Sequence, residues 1–340
     1  MAEVFCVEAN NHRNAIETRY TKEVNIVSRI GFYTDIHLRG TTPRYRVDDY
    51  PQVLLEKLEE VYSTFESANC DFVIFGGDMF HTHRIYSYNV ISRAMDIVCD
   101  SSLDTYGIIG QHDLKGYNRH TYESSALAFL AHRCNKFNIL WEPQEVADCW
   151  LVPSHVWDDI HKADEYETRG DRFNILIAHH LLTNKKAMFD VVNTTEFVNE
   201  CSQGCPYQLV LSGDLHDGYE PHEVDGTWFC NPGSLARQAI SDSHRMPQIA
   251  IIDVTDPLLP PAITIEVLKC GRQGDEVFSE SIADIVRQRE EFDAEDFVED
   301  ILSFETDAVD IHDLLQAVGK REGVSKVVLE YLSAKNCEED

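Results

Sequence analysis

Short apolar runs that stop abruptly on glycine, aspartate or histidine recur along this 340-residue chain, and they constrain its fold more than any other feature. Arg29-Ile30-Gly31-Phe32-Tyr33-Thr34 runs into Asp35-Ile36-His37, and Asp71-Phe72-Val73-Ile74-Phe75 runs into Gly76-Gly77-Asp78-Met79-Phe80-His81. Tyr106-Gly107-Ile108-Ile109 meets Gly110-Gln111-His112-Asp113. Asn174-Ile175-Leu176-Ile177-Ala178 ends on His179-His180, and Leu209-Val210-Leu211-Ser212 ends on Gly213-Asp214-Leu215-His216. Apolar runs of this length read as buried strands. Val53, Leu54, Leu58, Val61 and Phe65 keep the spacing of one buried helix face between the first two runs, and a second helical pattern falls near residues 88–99. Strand, helix, strand predicts parallel βαβ units, whose ligand sites collect at the carboxyl ends of the strands. One shared site is the economical reading.

The five clusters supply carboxylate, imidazole and amide oxygen, and cysteine is absent from all of them. These donors suit manganese, iron, zinc or magnesium. A lone histidine after a strand is more often a satisfied core residue than a ligand. Five such clusters in series predict a metal site. His180 should point to the opposite strand face from His179 and is read as structural.

The order of these motifs resembles that of the calcineurin-like metallophosphoesterases, over roughly residues 29–255. Gly76 to His81, the 111–113 loop with Gly116-Tyr117-Asn118, and Asn231-Pro232-Gly233-Ser234 followed by Arg237 are most similar to the SbcD-type DNA repair nucleases and their phage counterparts. The resemblance implies an α/β metallophosphoesterase sandwich, with packed mixed β-sheets flanked by helices and a small α-rich C-terminal region. It implies two divalent cations, one on Asp35, His37, Asp78 and His216, the other on Asp78, Gln111, His179 and Asp214. Asp78 would bridge them. His112 would be the general acid, His81 would orient the phosphate, and Asp113 would fix the ring of His112.

Two residues depart from the family pattern: Gln111 stands where asparagine is usual, and Asp214 where histidine is usual. Glutamine reaches further and aspartate less far, so the changes could compensate. The extra carboxylate makes the site richer in oxygen, which favours manganese or magnesium over zinc. A weak second site is the competing reading.

The function implied is metal-dependent hydrolysis of DNA phosphodiesters in recombination or repair, with an SbcC-type ATPase as partner. A homodimer is left open. A phosphatase or cyclic-nucleotide phosphodiesterase needs the same metals with a smaller pocket, and a non-catalytic scaffold could share the fold. Retention of His112 and of the first cation's ligands argues against the scaffold.

Charge limits how DNA could be held. Fifty-nine acidic against 29 basic residues give −30, which opposes non-specific attraction to nucleic acid or anionic lipid. Arg39, Arg84, Lys115, Arg119 and Arg237 follow the motifs, and convergent loops would make them a positive, substrate-binding rim; ordinary surface charge is the alternative. No stretch is long and apolar enough to span a bilayer, no leader pattern opens the chain, and the ten scattered cysteines read as reduced thiols. A cytoplasmic protein is expected.

The expected organisation is an extension over residues 1–27, a catalytic domain over 28–255 and an acidic strand-plus-helix region over 256–340. Ile263 to Val267 reads as a strand, and Ile282, Ile285, Phe292, Phe297, Ile301 and Leu302 keep helical spacing. That region is either a solvated helix pair or a docking surface for a partner.

Overall fold

Ile30 and Phe32 are separated by one residue, as are Phe72 and Ile74, Ile175 and Ile177, and Leu209 and Leu211, and all are buried in one apolar cluster. Period-two burial shared by several strands is what two sheets pressed face to face require. Each fully buried leucine, isoleucine or phenylalanine contributes about 1.5–3 kcal/mol.

The computed structural model describes residues 28–84, 87–185, 191–201, 204–256 and 259–279. Its strands are β1 (Ser28–Tyr33), β2 (Phe72–Phe75), β3 (Thr105–Gly107), β4 (Phe137–Ile139), β5 (Gln144–Val146), β6 (Cys149–Ser154) and β7 (Phe173–Ala178). They continue with β8 (Leu182–Thr183), β9 (Val192–Asn193), β10 (Leu209–Ser212), β11 (Tyr219–Val224), β12 (Thr227–Asn231), β13 (Gln248–Val254) and β14 (Ala262–Val267). The helices are α1 (Tyr50–Ser67), α2 (Tyr88–Asp100), α3 (Ala126–Arg133), α4 (Thr194–Glu200) and α5 (Gly274–Val277).

The first sheet has the order β14-β13-β1-β2-β3-β4, with β1 to β4 parallel and β13 and β14 antiparallel. The second has the order β11-β12-β10-β7-β6-β5, with parallel strands inside and antiparallel strands at both edges. Parallel neighbours need a crossover. Helix α1 supplies the first, burying Val53, Leu54, Leu58, Val61 and Phe65 as its spacing predicts. The Phe65 ring lies so close over β1 that a Cβ on Gly31 would meet it at 2.5 Å. Helix α2 buries Val90, Ile91, Ala94 and Val98. On the second sheet, Val152, Leu176, Val210 and Phe229 pack with Phe197 of α4. The fold is the mixed α/β sandwich with flanking helices that the sequence predicts.

One boundary differs. Strand β14 pairs with β13 from Ala262 to Val267, so the division expected after Thr255 falls between two hydrogen-bonded strands of the same sheet. Contacts divide the chain into two units, of which the larger holds both sheets and runs to Gly40, over Pro51–Ala236 and over Met246–Gly271. Among the described residues, the smaller joins Thr41–Tyr50, Arg237–Arg245 and 272–279. Within it, Tyr45, Val277, Phe278 and Ile240 pack together, and the Arg46 guanidinium lies over the rings of Tyr50 (4.6 Å) and Phe278 (5.1 Å). The extension expected over residues 1–27 and the helices expected beyond residue 279 lie outside the described residues. Among those described, no helix is long and apolar enough to cross a membrane.

Candidate metal centre

Strands β1, β2 and β3 are neighbours in one sheet, β7 and β10 in the other, and each releases the chain into one of the five polar clusters. Backbone bonds lace the first two loops together: Asp35 N–H donates to Gly77 O (3.0 Å) and His37 N–H to Asp78 O (3.1 Å). Asp35, His37, Asp78 and Asp214 have φ of 51°, 47°, 58° and 69°. That left-handed backbone costs a residue with a side chain about 1 kcal/mol or more. Glycines beside them leave the room: a Cβ on Gly77 would strike the His179 imidazole, and one on Gly110 would strike the Asp78 carboxylate.

The side chains converge. His37 Nε2 and His216 Nε2 lie 3.0 Å apart, and each is 3.7 Å from Asp35 Oδ1. Asp78 Oδ2 is 3.8 Å from His37 Nε2 and 3.4 Å from His179 Nε2, so this carboxylate stands between two groups of donors. Three overlapping sets have potential ligand atoms within 4.8 Å of one another: Asp35, His37 and His216; Asp35, Asp78 and His179; His37, His81 and His112.

Carbonyl partners fix two tautomers. His179 Nδ1 must donate to Gly76 O (2.7 Å), so Nε2 is the ring atom that faces Asp78. His112 Nδ1 donates to His81 O (2.7 Å), which likewise leaves Nε2 as the working atom. A backbone carbonyl behind an imidazole is the usual support for a metal-bound histidine. Burial holds His37 well below its ordinary pKa against the pull of Asp78, so it is neutral and able to ligate. Burial also disfavours protonated His179, but Asp78, Asp35 and Asp214 outweigh it and raise the imidazole well above its usual range. Burial and the charge of Arg39 push His81 down to about 2.

Whether the residues fit cations is tested by their unpaired atoms. Asp35 Oδ1, Asp78 Oδ2, Gln111 Oε1 and His179 Nε2 are buried without a hydrogen-bond partner. Leaving such an atom unsatisfied costs about 1–3 kcal/mol. His37 Nε2 and His216 Nε2, 3.0 Å apart, are close enough for one cation to reach both. The donor set fits.

Asp113, Asp214 and Arg237 are placed differently from expectation. Asp113 does not touch the ring of His112: its Oδ2 accepts from the N–H groups of Asp78 (3.0 Å) and Gly110 (3.1 Å), and its Oδ1 from Met79 (3.1 Å) and Phe80 (3.4 Å). Those donors would otherwise be buried and unpaired. Burial and Asp78 push its carboxyl up to about 8, and the backbone donors oppose that. Asp214 belongs to none of the three sets; its Oδ1 accepts from Gln111 Nε2 (2.6 Å) and its N–H donates to Asp35 Oδ2 (3.1 Å). Arg237, expected at a substrate rim, is 1% exposed and donates to the carbonyl oxygens of Arg245 (3.1 Å) and Arg272. Arg84 and Arg119 are exposed, and Arg39 and Lys115 are half-buried. His180 Nε2 meets Ser154 Oγ at 3.0 Å.

Sequence reasoning gave Asn231 and Ser234 no role. Ser234 Oγ donates to Asp35 O (2.7 Å), its N–H donates to His216 O (2.9 Å), and Asn231 Nδ2 donates to Leu215 O (3.1 Å). The Asn-Pro-Gly-Ser turn that they bound was the available signal.

The sequence model of the calcineurin-like phosphoesterase family matches residues 28–218. Among solved structures, TT1561 of Thermus thermophilus is 13% identical, with 72% of this chain and 100% of that one covered and a TM-score of 0.46. A dimetal phosphatase from Danio rerio is 12% identical over 70% of this chain and 99% of that one, TM-score 0.43. A putative 5'-nucleotidase from Staphylococcus aureus, in complex with alpha-ketoglutarate, is 14% identical over 78% and 58%, TM-score 0.42. No curated protein matches the sequence.

Proposed function

The chain belongs to the calcineurin-like phosphoesterase family, and we propose that it hydrolyses DNA phosphodiesters at a centre of two divalent cations. The observation that carries the proposal is the convergence of Asp35, His37, Asp78, His179 and His216, whose buried donor atoms include several without protein partners.

Asp35, His37, His216 and one oxygen of Asp78 would hold one cation. Asp78, His179 and the Gln111 carbonyl oxygen would hold the other, with the Asp214 carboxylate beside them. Two such cations would supply an activated water and charge stabilisation for the phosphate. His112 is fixed through Nδ1, so a proton on its Nε2 is free to pass to the departing sugar oxygen. The His81 ring stacks on His112 at 5.6 Å and, held neutral, offers a hydrogen bond to the phosphate without competing for the proton.

DNA is favoured as substrate by Arg39, Arg84, Lys115 and Arg119, all carried on loops that follow the first, second and third motifs. The net charge of −30 works against an unaided DNA binder, which favours a partner such as an SbcC-type ATPase to supply backbone contacts. Oxygen donors from Gln111 and Asp214 favour manganese or magnesium. The test is protein stripped of metal, reloaded with manganese, magnesium, iron or zinc, and assayed on single- and double-stranded DNA and a small phosphodiester. Manganese-restored cleavage of DNA is expected. Turnover of the small ester alone would overturn the nuclease reading.

A further inference from the structure

A group of aromatic rings that the proposed chemistry does not use lies in the loops that follow β3, β4 and β6. Trp141 comes after β4, His155 and Trp157 after β6, and Tyr122 after β3. Trp157 stacks on His155 (centroids 4.5 Å apart, planes 21°) and on Trp141 (6.4 Å, 22°). Tyr122 meets Trp141 edge-on at 4.9 Å, and the Arg119 guanidinium lies 5.8 Å over the Trp157 ring. Tyr122 and His155 are buried (4% and 3% exposed), whereas Trp141 is 51% exposed. A rigidly backed indole left half in water is unusual for a residue of its size.

This group is tied to the metal loops. Ile109 N–H donates to His155 Nδ1 (3.1 Å) immediately before Gly110-Gln111-His112. His179 N–H donates to Ser154 O (3.0 Å), the residue before His155. Strand β4 neighbours β3, and β6 neighbours β7, so the rings stand one strand away from the loops bearing Gln111 and His179.

Local charge selects the ligand. Glu142 adjoins Trp141 in the chain and disfavours a phosphate at that ring, whereas the Arg119 guanidinium over Trp157 is placed to take one. A nucleobase is uncharged, stacks on an indole face, and leaves its phosphate to the basic loops and the metal centre. We propose that Trp141, backed by Trp157 and Tyr122, forms a stacking platform for an unpaired nucleobase beside the scissile phosphate, which makes single-stranded DNA or a frayed duplex end the substrate class. The inference rests on the nuclease reading, and its test separates the two.

The full chain, metal withheld so that nothing is cut, is titrated with oligothymidylate, with an abasic oligomer of equal length, with a blunt duplex and with a duplex carrying a single-stranded overhang. Oligothymidylate and the overhang should quench the indole fluorescence and bind the parent more tightly than the abasic oligomer or the blunt duplex does. Trp141→Ala should weaken oligothymidylate binding about ten-fold, the loss expected for one stacked base, and leave abasic binding unchanged. Trp141→Phe, which keeps a ring, should recover most of the affinity. Equal oligothymidylate affinity of parent and Trp141→Ala would overturn the platform, as would displacement of the base by an arginine-rich peptide that binds it more tightly. Ring-dependent binding without cleavage under any metal would instead overturn the nuclease reading and leave the platform standing.

Discussion

The Gln111 side-chain amide donates to Asp214 Oδ1 across 2.6 Å, and this bond turns Gln111 Oε1, which has no protein partner, into the available ligand atom. The two departures from the family pattern are therefore in direct contact. If Gln111 holds the second cation as proposed, Asp214 would act on that cation through Gln111 as well as through its charge.

Substitution separates these roles. Asp214→Asn keeps an oxygen that can accept from Gln111 but removes the charge, whereas Asp214→Ala removes both. If orientation dominates, Asp214→Asn should hold the second cation nearly normally, and Asp214→Ala should lose about 10- to 100-fold in affinity. Gln111→Ala and Asp214→Ala together should deviate from additivity by about 0.5–3 kcal/mol. Calorimetric titration of metal-free protein reads all three. Additive effects would show that the bond is incidental.

His112→Asn should leave metal content intact and slow cleavage by about two to four orders of magnitude when the leaving group is a sugar alkoxide. A p-nitrophenyl ester departs without a proton and should be slowed far less. Equal losses on both substrates would remove His112 from the role of proton donor.

Asp113→Ala should behave unlike His112→Asn. It strands four backbone donors of the two central loops, so unfolding free energy should fall by about 3 kcal/mol or more, with metal affinity falling alongside. Chemical denaturation of the metal-free protein checks the first effect. An unchanged midpoint would mean that the loops hold themselves together.

Ser234→Ala removes the hydroxyl bond to Asp35 O but not the backbone bond to His216 O. A stability loss of about 1 kcal/mol is expected, with weaker binding confined to the cation on Asp35, His37 and His216. Metal analysis after dialysis at graded metal concentration would reveal equal loss from both positions if Ser234 is merely part of the scaffold.

The legible part of the molecule was whatever local pattern controls. Uninterrupted apolar runs marked β1, β2, β7 and β10, and three- and four-residue spacing marked α1. The glycines at 77 and 110 and the polar residues next to them are adjacent in sequence because their geometry is local. Illegible were the relationships made across the chain. Whether β14 belongs with the core depends on its pairing to β13, which composition around the prolines at 260 and 261 hides. Asp113 sits next to His112 in sequence, yet its carboxylate serves the loop at 78–80. Arg237 follows a conspicuous turn, and its buried guanidinium is met by the carbonyl groups of Arg245 and Arg272, which no motif announces.

The left-handed backbone at Asp35, His37, Asp78 and Asp214 would set the proposed metal centre against thermal robustness. Glycine at any of the four would relax the main chain and delete a functional side chain in the same stroke, so variants selected only for heat resistance should drift toward inactivity at these positions. A screen that scores survival on heating and a screen that scores hydrolysis would pull this protein in opposite directions at the same four codons.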